Sequence, residues 1–324
     1  MPLPAIDVGV GVVRRADGRI LLAQRTARQV APGFWELPGG KVDAGETPAQ
    51  AAAREVHEEV GLRAEALRPW AVHEHAFRTR RVRLHLFHVE RWRGEPHGRE
   101  GQRVAWVDPA APAVGPLLPS NERALGLLAL PPLAVFTDSA RAGGPQAALD
   151  RLERLLTARR ALVVVREAGL APGQLAIFAQ RVCGVARRYR APVLIAGAPT
   201  LARRAAASGV HTASAELGRR LARPDAALWA VSCHDAGALG RAARLGADLA
   251  FVSPVLPTSA HRGLPALGFT GLARLAAAAP MPVYAQGGVR PSHEAQARAA
   301  GAIGVAVALN TLAELAGFGD TAAA

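Results

Sequence analysis

The stretch that decides the fold of the first part of this chain is residues 39–62, GGKVDAGETPAQAAAREVHEEVGL. Thr47 is a favourable residue to cap a helix, the proline after it suits the first helical position, and Gln50 completes a capping box. Gly61 can end the helix in the left-handed conformation. The stretch therefore predicts a helix over Pro48–Val60.

Three glutamates of this helix, Glu55, Glu58 and Glu59, are spaced so that their side chains meet on one face. Crowded carboxylates repel one another, and a divalent cation that prefers oxygen, Mg²⁺ or Mn²⁺, relieves the repulsion. A solvated acidic helix face is the alternative that these three residues alone leave open. The apolar face that packs on the protein is predicted on another side of the helix, at Ala49, Ala53, Val56 and Val60.

Strands are predicted on both sides of the helix. Residues 8–13 and 19–24 flank the turn sequence Ala16-Asp17-Gly18, which predicts a hairpin. Residues 82–89 alternate between apolar and polar side chains, as is typical of a half-buried strand. The first part of the chain is therefore predicted to be a mixed α/β domain.

Residues 39–62 resemble the Nudix box, Gly-x5-Glu-x7-Arg-Glu-U-x-Glu-Glu-x-Gly-U with U aliphatic, at every fixed position from Gly40 to Leu62. The flanking residues 34–38 and 89–101 are similar to the MutT branch of these hydrolases, and the resemblance covers residues 5–129. It implies an α/β/α sandwich with a mixed sheet. It also implies Mg²⁺-dependent hydrolysis of oxidised purine nucleotides, 8-oxo-dGTP to 8-oxo-dGMP and pyrophosphate, which sanitises the nucleotide pool. Hydrolysis of another diphosphate, such as a thiamine-related one, is the alternative.

The resemblance implies a catalytic role for Arg54 and for a set of metal ligands. Arg54 can also form an ion pair with Glu46 that anchors the preceding loop to the helix. A later loop residue, Glu100, would be a metal ligand or the base that activates water, with an ordinary surface glutamate as the alternative. The implied metal ligands are the backbone carbonyl of Gly39 and the side chains of Glu55, Glu58, Glu59 and Glu100.

The same resemblance implies substrate contacts from Arg25, Lys41 and Arg80, which would bind the phosphates or the ribose. Lys41 is the only lysine among 39 basic residues, which indicates that this position requires a compact ammonium and not a wide guanidinium. Asn121 matches the asparagine with which the MutT branch binds the purine base. A helix cap is the alternative for Asn121.

The pattern changes after the proline-rich residues 130–133, so we expect two domains, residues 1–130 and 131–324. In the second part, short apolar runs alternate with helical stretches, which is typical of β-α units around a parallel sheet. Eight such units predict a (β/α)8 TIM barrel. The predicted strands are residues 133–136, 161–166, 192–196, 209–212, 227–232, 249–253, 282–286 and 304–309.

Residues 133–317 resemble the superfamily of thiamine phosphate synthase and thiazole tautomerase, through pieces such as Gly209-Val210-His211 and Ser232-Cys233-His234. Polar residues at the carboxyl ends of barrel strands meet the ligand. The resemblance therefore implies a ligand site for a phosphorylated thiazole. The turn at Gly287 and Gly288 would bind its phosphate through backbone N–H groups, and an ordinary tight turn is the alternative. The site residues are Arg166, His211, Ser232, His234, Thr258, Gly287 and Gly288.

Departures from the synthase pattern argue against synthase activity. Of the Gln-x-Arg-x-Lys motif only Arg166 remains, Ala196-Gly197 replaces an Asn-Asp pair, Glu216 is a second acidic position, and His261 replaces a lysine. One remaining hypothesis is tautomerase-like chemistry, in which His234 or His211, with a pKa near neutrality, transfers a proton. A barrel that only binds a phosphorylated metabolite or RNA is the other.

The formal net charge of +13 does not by itself indicate nucleic-acid binding, because the arginines are scattered without interleaved aromatic residues. We therefore do not expect nucleic acid as a partner. No apolar run approaches the ~18 residues of a membrane span, and we expect a cytoplasmic protein that acts on small molecules. Two cysteines, Cys183 and Cys233, are predicted to be buried apolar residues.

Overall fold

The computed structural model describes residues 5–258, 263 and 265–312. The chain divides into two compact units between Ala129 and Leu130, beside the proline-rich residues at which the pattern of the sequence changes. Within the described residues, every helix is too short or too polar to cross a bilayer. The two cysteines are buried, as predicted.

The first unit contains a mixed sheet, which confirms the predicted fold class. In chain order its elements are β1 Ala5–Val13, β2 Ile20–Gln24, β3 Trp35–Glu36, β4 Gly39–Lys41, α1 Pro48–Val60, β5 Arg63–Ala76, β6 Arg81–Arg93, β7 Val104–Val107 and α2 Pro119–Leu128. Four strands form a sheet of order β4-β1-β6-β5, in which only β1 and β6 run parallel. The other three form an antiparallel sheet of order β3-β2-β7.

The predicted hairpin between β1 and β2 forms only at its turn. Arg14 makes one bridge with Ile20, and the two strands then enter different sheets. The reason is that β4 pairs with one edge of β1 and β6 pairs with the other, so β1 has no free edge with which β2 could pair along most of the length of β1. The predicted strand at residues 82–89 lies inside β6, where Leu84, Leu86 and Val89 are buried.

Helix α1 has the predicted bounds and caps. The Thr47 hydroxyl accepts a hydrogen bond from the Gln50 backbone N–H, the Gln50 side chain accepts one from the Thr47 N–H, and Gly61 ends the helix at φ 73°. The capping groups satisfy donors that the first turn leaves unpaired. The sequence signals at both ends of this helix were therefore sufficient to place it.

Glycines on the sheet let α1 lie directly against it. A Cβ at Gly9 would collide with the carbonyl oxygen of Pro48 and come within 2.6 Å of the Ala52 nitrogen, both in the backbone of α1. A Cβ at Gly11 would collide with the side chain of Val56. Because backbone atoms of the helix cannot move away as a side chain can, the close approach requires glycine at position 9.

The packed face of α1 agrees with the prediction at Val56 and Val60 and differs from it at Ala49 and Ala53. The buried residues of the helix are Ala51, Ala52, Val56, Glu59 and Val60. This face is rotated by roughly 60° from the predicted one, since α-helical residues follow each other at about 100°. Glu59 consequently lies in the middle of the buried face and is only 5% exposed.

The second unit is a closed barrel of eight parallel strands in the order β10-β11-β12-β13-β14-β15-β8-β9, which confirms the predicted (β/α)8 architecture. Each predicted strand is present within one residue at either end. The elements are β8 Leu133–Phe136, α3 Ser139–Ala142, α4 Pro145–Ala158, β9 Leu162–Val165, α5 Pro172–Arg188, β10 Val193–Ala196, α6 Pro199–Arg204, β11 Gly209–Thr212, α7 Ser214–Leu217, β12 Leu228–Cys233, α8 Ala236–Arg244, β13 Leu249–Val252, α9 Gly268–Ala278, β14 Val283–Gln286, a 3-10 turn Pro291–His293, α10 Glu294–Ala299 and β15 Val305–Ala308.

Aromatic side chains pack together inside the barrel. Phe136, on β8, contacts His211 and Phe251 edge to face, with ring centroids 5.4 and 5.0 Å apart. Phe251 stacks on Tyr284 at 5.4 Å. These contacts come from four different strands, so they fix the ring of His211 at the carboxyl end of β11.

Candidate functional site

Two glutamates of α1 meet the backbone of β4. The Glu59 carboxylate accepts a hydrogen bond from the Gly39 N–H at 3.1 Å. The Glu55 carboxylate lies over Gly40, where any Cβ would collide with it. Gly40 stands opposite Gly9 in the sheet. The glycine at position 40 leaves room for the Glu55 carboxylate, and the glycine at position 9 leaves room for the backbone of α1.

Arg54 is the centre of an ion-pair network. It binds Glu46 through two hydrogen bonds of 3.0 Å, so the predicted anchor between loop and helix is present. The same guanidinium lies 2.7 Å from Glu55 and 3.0 Å from Glu58, and it donates to the Lys41 carbonyl at 3.0 Å. Arg54 thus holds two of the predicted metal ligands and the backbone of Lys41 in one arrangement.

Sequence reasoning missed Glu36, which is only 6% exposed. Its carboxylate accepts a hydrogen bond of 2.5 Å from Arg25, and Arg25 also donates to the Val30 carbonyl. The signal was present, because a glutamate in the middle of the apolar sequence Trp35-Glu36-Leu37 is unusual unless it is paired. The predicted substrate residue Arg25 is therefore engaged with a buried carboxylate of its own unit.

Burial raises the pKa of the two most enclosed carboxylates. The pKa of Glu59 is raised to about 8, mainly by loss of solvent and then by the negative charges of Glu36, Glu55 and Glu100, while the Gly39 N–H opposes the shift. Loss of solvent likewise raises the pKa of Glu36 to about 7 against the opposing effect of Arg25. The pKa of Glu55 is raised by the same cause. The positive charge around these carboxylates is insufficient to offset the loss of solvent from their ionised form.

The donor set fits a divalent cation in its chemistry. Hard carboxylate oxygens with raised pKa values are the groups that a divalent cation would stabilise. Among the described residues, however, no three acidic, histidine or cysteine side chains converge on one point. The physical reason is that Arg54 lies against both Glu55 and Glu58, while Glu59 turns towards the Gly39 N–H.

Three further predicted residues lie around this cluster. Glu100 is exposed on the loop before β7 and acts on Glu55 and Glu59 through its charge. The Lys41 side chain is exposed at the end of β4. Arg80 lies at the tip of the β5–β6 hairpin, with its guanidinium 5.4 Å from the ring centre of Phe77.

Asn121 lies inside α2 and does not cap it. The residue at the cap position is Leu118, so the alternative of a helix cap is wrong. The Asn121 Oδ1 accepts a hydrogen bond of 2.9 Å from the Leu37 backbone N–H, and the side chain is buried. Because Leu37 N–H can only donate, this contact determines which end of the amide is oxygen. The amide N–H₂ group, 3.4 Å from the Ser120 hydroxyl, is the end that can serve a ligand.

A cavity of about 290 Å³ opens at the carboxyl ends of the barrel strands. It brings together four of the seven residues predicted for the barrel site, and sequence reasoning left Ser214 and Gln286 out. The polar lining consists of Arg166, His211, Ser214, Glu216, Ser232, His234 and Gln286.

The paired glycines of the barrel are outside this lining. A Cβ at Gly288 would lie 2.6 Å from the carbonyl oxygens of Leu256 and Pro257, so close backbone packing requires the glycine. Thr258 is also outside the lining, and His261 lies outside the described residues. The burial of His211 lowers its pKa to about 3, which overturns the expectation of a value near neutrality.

Both units match known families. The NUDIX domain model matches residues 4–128, where the carboxylate cluster lies, and the thiamine monophosphate synthase model matches residues 133–310, which form the barrel. The chain belongs to both families. It is an enzyme of the NUDIX family through its first unit, joined to a thiamine monophosphate synthase family barrel.

Individual relatives cover one unit each. An 8-oxo-dGTP diphosphatase of Haemophilus influenzae is 40% identical over 118 residues, 36% of this chain and 87% of that protein. A CTP pyrophosphohydrolase of Escherichia coli is 37% identical over 116 residues, 36% of this chain and 85% of that protein. A thiamine-phosphate synthase of Salinispora tropica is 39% identical over 171 residues, 50% of this chain and 82% of that protein.

The raised pKa values predict how the stability of the NUDIX unit depends on pH. A glutamate whose pKa is higher in the folded state than in the unfolded state stabilises the fold at low pH, and this contribution is lost as the pH rises through the folded value. For Glu36 and Glu59 the loss falls between pH 4.5 and about 8. In EDTA, the thermal midpoint of the NUDIX transition is therefore expected to fall from pH 6 to pH 9.

Glu59→Gln provides the matched variant for this measurement, since the amide resembles the protonated acid. At pH 9 in EDTA it should be more stable than the wild type by several kcal/mol and at most by about 5 kcal/mol, because the pKa of Glu59 rises from 4.5 to about 8 and one pKa unit corresponds to about 1.4 kcal/mol. Scanning calorimetry of the full chain at several pH values measures both proteins. A wild-type midpoint that is constant or rises between pH 6 and pH 9 would contradict the assignment.

Proposed function

We propose that the NUDIX unit hydrolyses 8-oxo-dGTP to 8-oxo-dGMP and pyrophosphate with Mg²⁺, and thereby removes oxidised guanine nucleotides from the pool. The observation that carries the proposal is the placement of Glu55 and Glu59 against the Gly39–Lys41 strand, in a chain whose relatives include 8-oxo-dGTP diphosphatases. This function places the protein in the cytoplasm, where such nucleotides are used.

Mg²⁺, or Mn²⁺ in its place, would be held by the Gly39 carbonyl, Glu55, Glu58, Glu59 and Glu100. The bound cation supplies neutralisation of phosphate charge and a more acidic water. Arg54 acts as a positioning residue, because it joins Glu46, Glu55 and Glu58 in one network. Glu100, exposed and within electrostatic range of Glu55 and Glu59, is available to take a proton from water.

The charge and the hydrogen-bonding groups of the side chains suggest which part of the substrate each of them would contact. The exposed ammonium of Lys41 and the guanidinium of Arg80 would bind the phosphates or the ribose. Arg25 would bind the same groups while it stays hydrogen-bonded to Glu36. Asn121 would donate from its amide N–H₂ group to the purine base, while its oxygen stays on the Leu37 N–H. The base is thereby selected by a buried amide whose orientation the protein has already fixed.

Asn121→Ala tests base recognition. We expect the preference for 8-oxo-dGTP over dGTP to fall about 10-fold, since one lost hydrogen bond is worth about 1 kcal/mol or slightly more. Asn121→Asp keeps an acceptor for the Leu37 N–H but loses the N–H₂ donor, so it should lose the same preference. Steady-state kcat/KM values for both nucleotides measure the effect. An unchanged ranking of substrates in both variants would remove Asn121 from base recognition.

The whole assignment is tested by a hydrolysis panel on the full chain with Mg²⁺. The panel compares 8-oxo-dGTP with dGTP, CTP, ADP-ribose, NADH and thiamine diphosphate, and the products are identified. CTP is included because one relative is a CTP pyrophosphohydrolase. The highest kcat/KM for 8-oxo-dGTP, with pyrophosphate released, supports the proposal. A preference for thiamine diphosphate would instead connect the hydrolase to the chemistry of the barrel family.

A further inference from the structure

Ser214 and His234 form a hydrogen-bonded pair at the barrel cavity. His234 Nδ1 lies 2.6 Å from the Ser253 carbonyl oxygen, which can only accept, so Nδ1 carries the proton of the neutral ring. Nε2 is then an acceptor, and the Ser214 hydroxyl, 2.9 Å away, donates to it. A hydroxyl, a base and a group that orients the base are therefore connected in series.

His211 supplies a second polar group to the same cavity. The side chain is 2% exposed, and its Nε2 lies 2.9 Å from the Ser232 hydroxyl. Within the described part of the chain, Nδ1 is buried and has no hydrogen-bond partner. Burial and the charge of Arg166 lower the pKa of His211, so the ring is neutral at physiological pH. When Ser232 donates to Nε2, Nδ1 carries a proton that a ligand oxygen can accept.

The charged residues of the lining restrict the ligand. Arg166, whose guanidinium stands 4.7 Å from the ring centre of Phe136, is the cation of the lining. Glu216 is its carboxylate, and Glu216 lies over Gly197 at the end of β10. One positive and one negative side chain suit a ligand with a single anionic group and disfavour a polyanion such as pyrophosphate.

We propose that the barrel cavity is an acyl-transfer site in which Ser214 is the nucleophile, His234 is its base and Arg166 binds an ester that carries one anionic group. Ser214 Oγ forms a bond to the ester carbonyl carbon while its proton passes to His234 Nε2. The bond to the leaving alcohol breaks, and the alcohol takes that proton. Water then attacks the acyl-serine, passes a proton through His234 and releases the acid, which restores the Ser214 hydroxyl.

His211 has a defined part in this step. Negative charge develops on the carbonyl oxygen as the Ser214 bond forms, and a neutral imidazole N–H is a suitable donor for it. The lowered pKa keeps His211 uncharged, so it does not compete with His234 for the proton. None of these groups belongs to the NUDIX site, so the proposal is independent of the function assigned to the first unit.

The test uses the full chain with two probes, 4-nitrophenyl acetate and the singly anionic 4-nitrophenyl succinate monoester. We expect 4-nitrophenolate release and an acyl group on the peptide that contains Ser214, seen by mass spectrometry. Ser214→Ala and His234→Asn should each lower the rate about 100-fold, the usual range for loss of a nucleophile or its base. Ser139→Ala is the matched control, because Ser139 begins α3 of the same barrel and its hydroxyl donates to Glu167, outside the cavity lining.

The anionic probe tests Arg166. The succinate monoester should have a kcat/KM about 10-fold above that of the acetate, as expected for one charged contact, and Arg166→Gln should remove the difference. Equal ester turnover in the wild type and Ser214→Ala, with no acyl group on Ser214, would overturn the acyl-transfer site. Turnover that needs Ser214 but is equal for both probes would overturn the assignment of Arg166.

Discussion

Replacing Glu55 by Gln is expected to lower kcat for 8-oxo-dGTP hydrolysis about 1,000-fold, the range for loss of a group that stabilises a charged transition state. The amide keeps the size of the side chain over Gly40 but removes the negative charge that a divalent cation needs. It also leaves Arg54 paired with Glu46 and Glu58, so the helix and its anchor stay in place.

Turnover with Mg²⁺ and the thermal midpoint are measured on the same preparation. Glu90→Gln is the matched control, since Glu90 lies on β6 and is exposed. Within the described residues, Arg68 is the one ion-pair partner of its carboxylate. It should change neither property. Near-normal turnover of Glu55→Gln in an assay that still requires the metal would contradict the assignment of the site.

Replacing Gly9 by Ala is expected to destabilise the NUDIX unit by about 3 kcal/mol and to lower hydrolysis with it. The added Cβ would collide with the Pro48 carbonyl and crowd the Ala52 nitrogen. Both atoms belong to the backbone of α1, so the helix itself must move off the sheet. Because α1 carries Glu55 and Glu59, the movement also separates the carboxylates from β4.

Gly126→Ala is the control for this prediction. Gly126 lies in α2 of the same unit and has open space where a Cβ would be, so alanine should stabilise the helix by about 0.5–1 kcal/mol. Chemical denaturation of the full chain, followed at the NUDIX transition, measures both variants. A Gly9→Ala protein as stable as the wild type would show that α1 does not depend on this close approach.

Local signals in the sequence were reliable for single elements. The capping box at Thr47 and the glycine at position 61 placed α1 with its correct ends, because both act through hydrogen bonds within a few residues. The eight apolar runs placed the barrel strands for a similar reason, since buried parallel strands are apolar throughout.

The orientation of α1 could not be obtained in the same way. Alanine is common on several sides of this helix, so composition does not single out one packed face. The glycines at positions 9, 11 and 40 decide it, since they leave room on the sheet for one side of the helix. Glu59 is buried as a result, and its pKa is raised for that reason.

Two functional groups also depended on contacts between distant parts of the chain. Glu36 joins the carboxylate cluster through its charge on Glu59, although 23 residues separate them in sequence. Ser214 gains a role only beside His234, which comes from the next strand of the barrel.

The sequence by itself determined the two families, the helix that carries the carboxylates and the eight strands of the barrel, because periodicity, caps and a closely spaced motif depend on neighbouring residues. Only the tertiary structure decided which glutamate is buried, that Arg25 pairs with Glu36, and that Ser214 meets His234. The physical reason is that burial and hydrogen bonding between separate elements depend on how backbones approach one another, and this distance is set by packing.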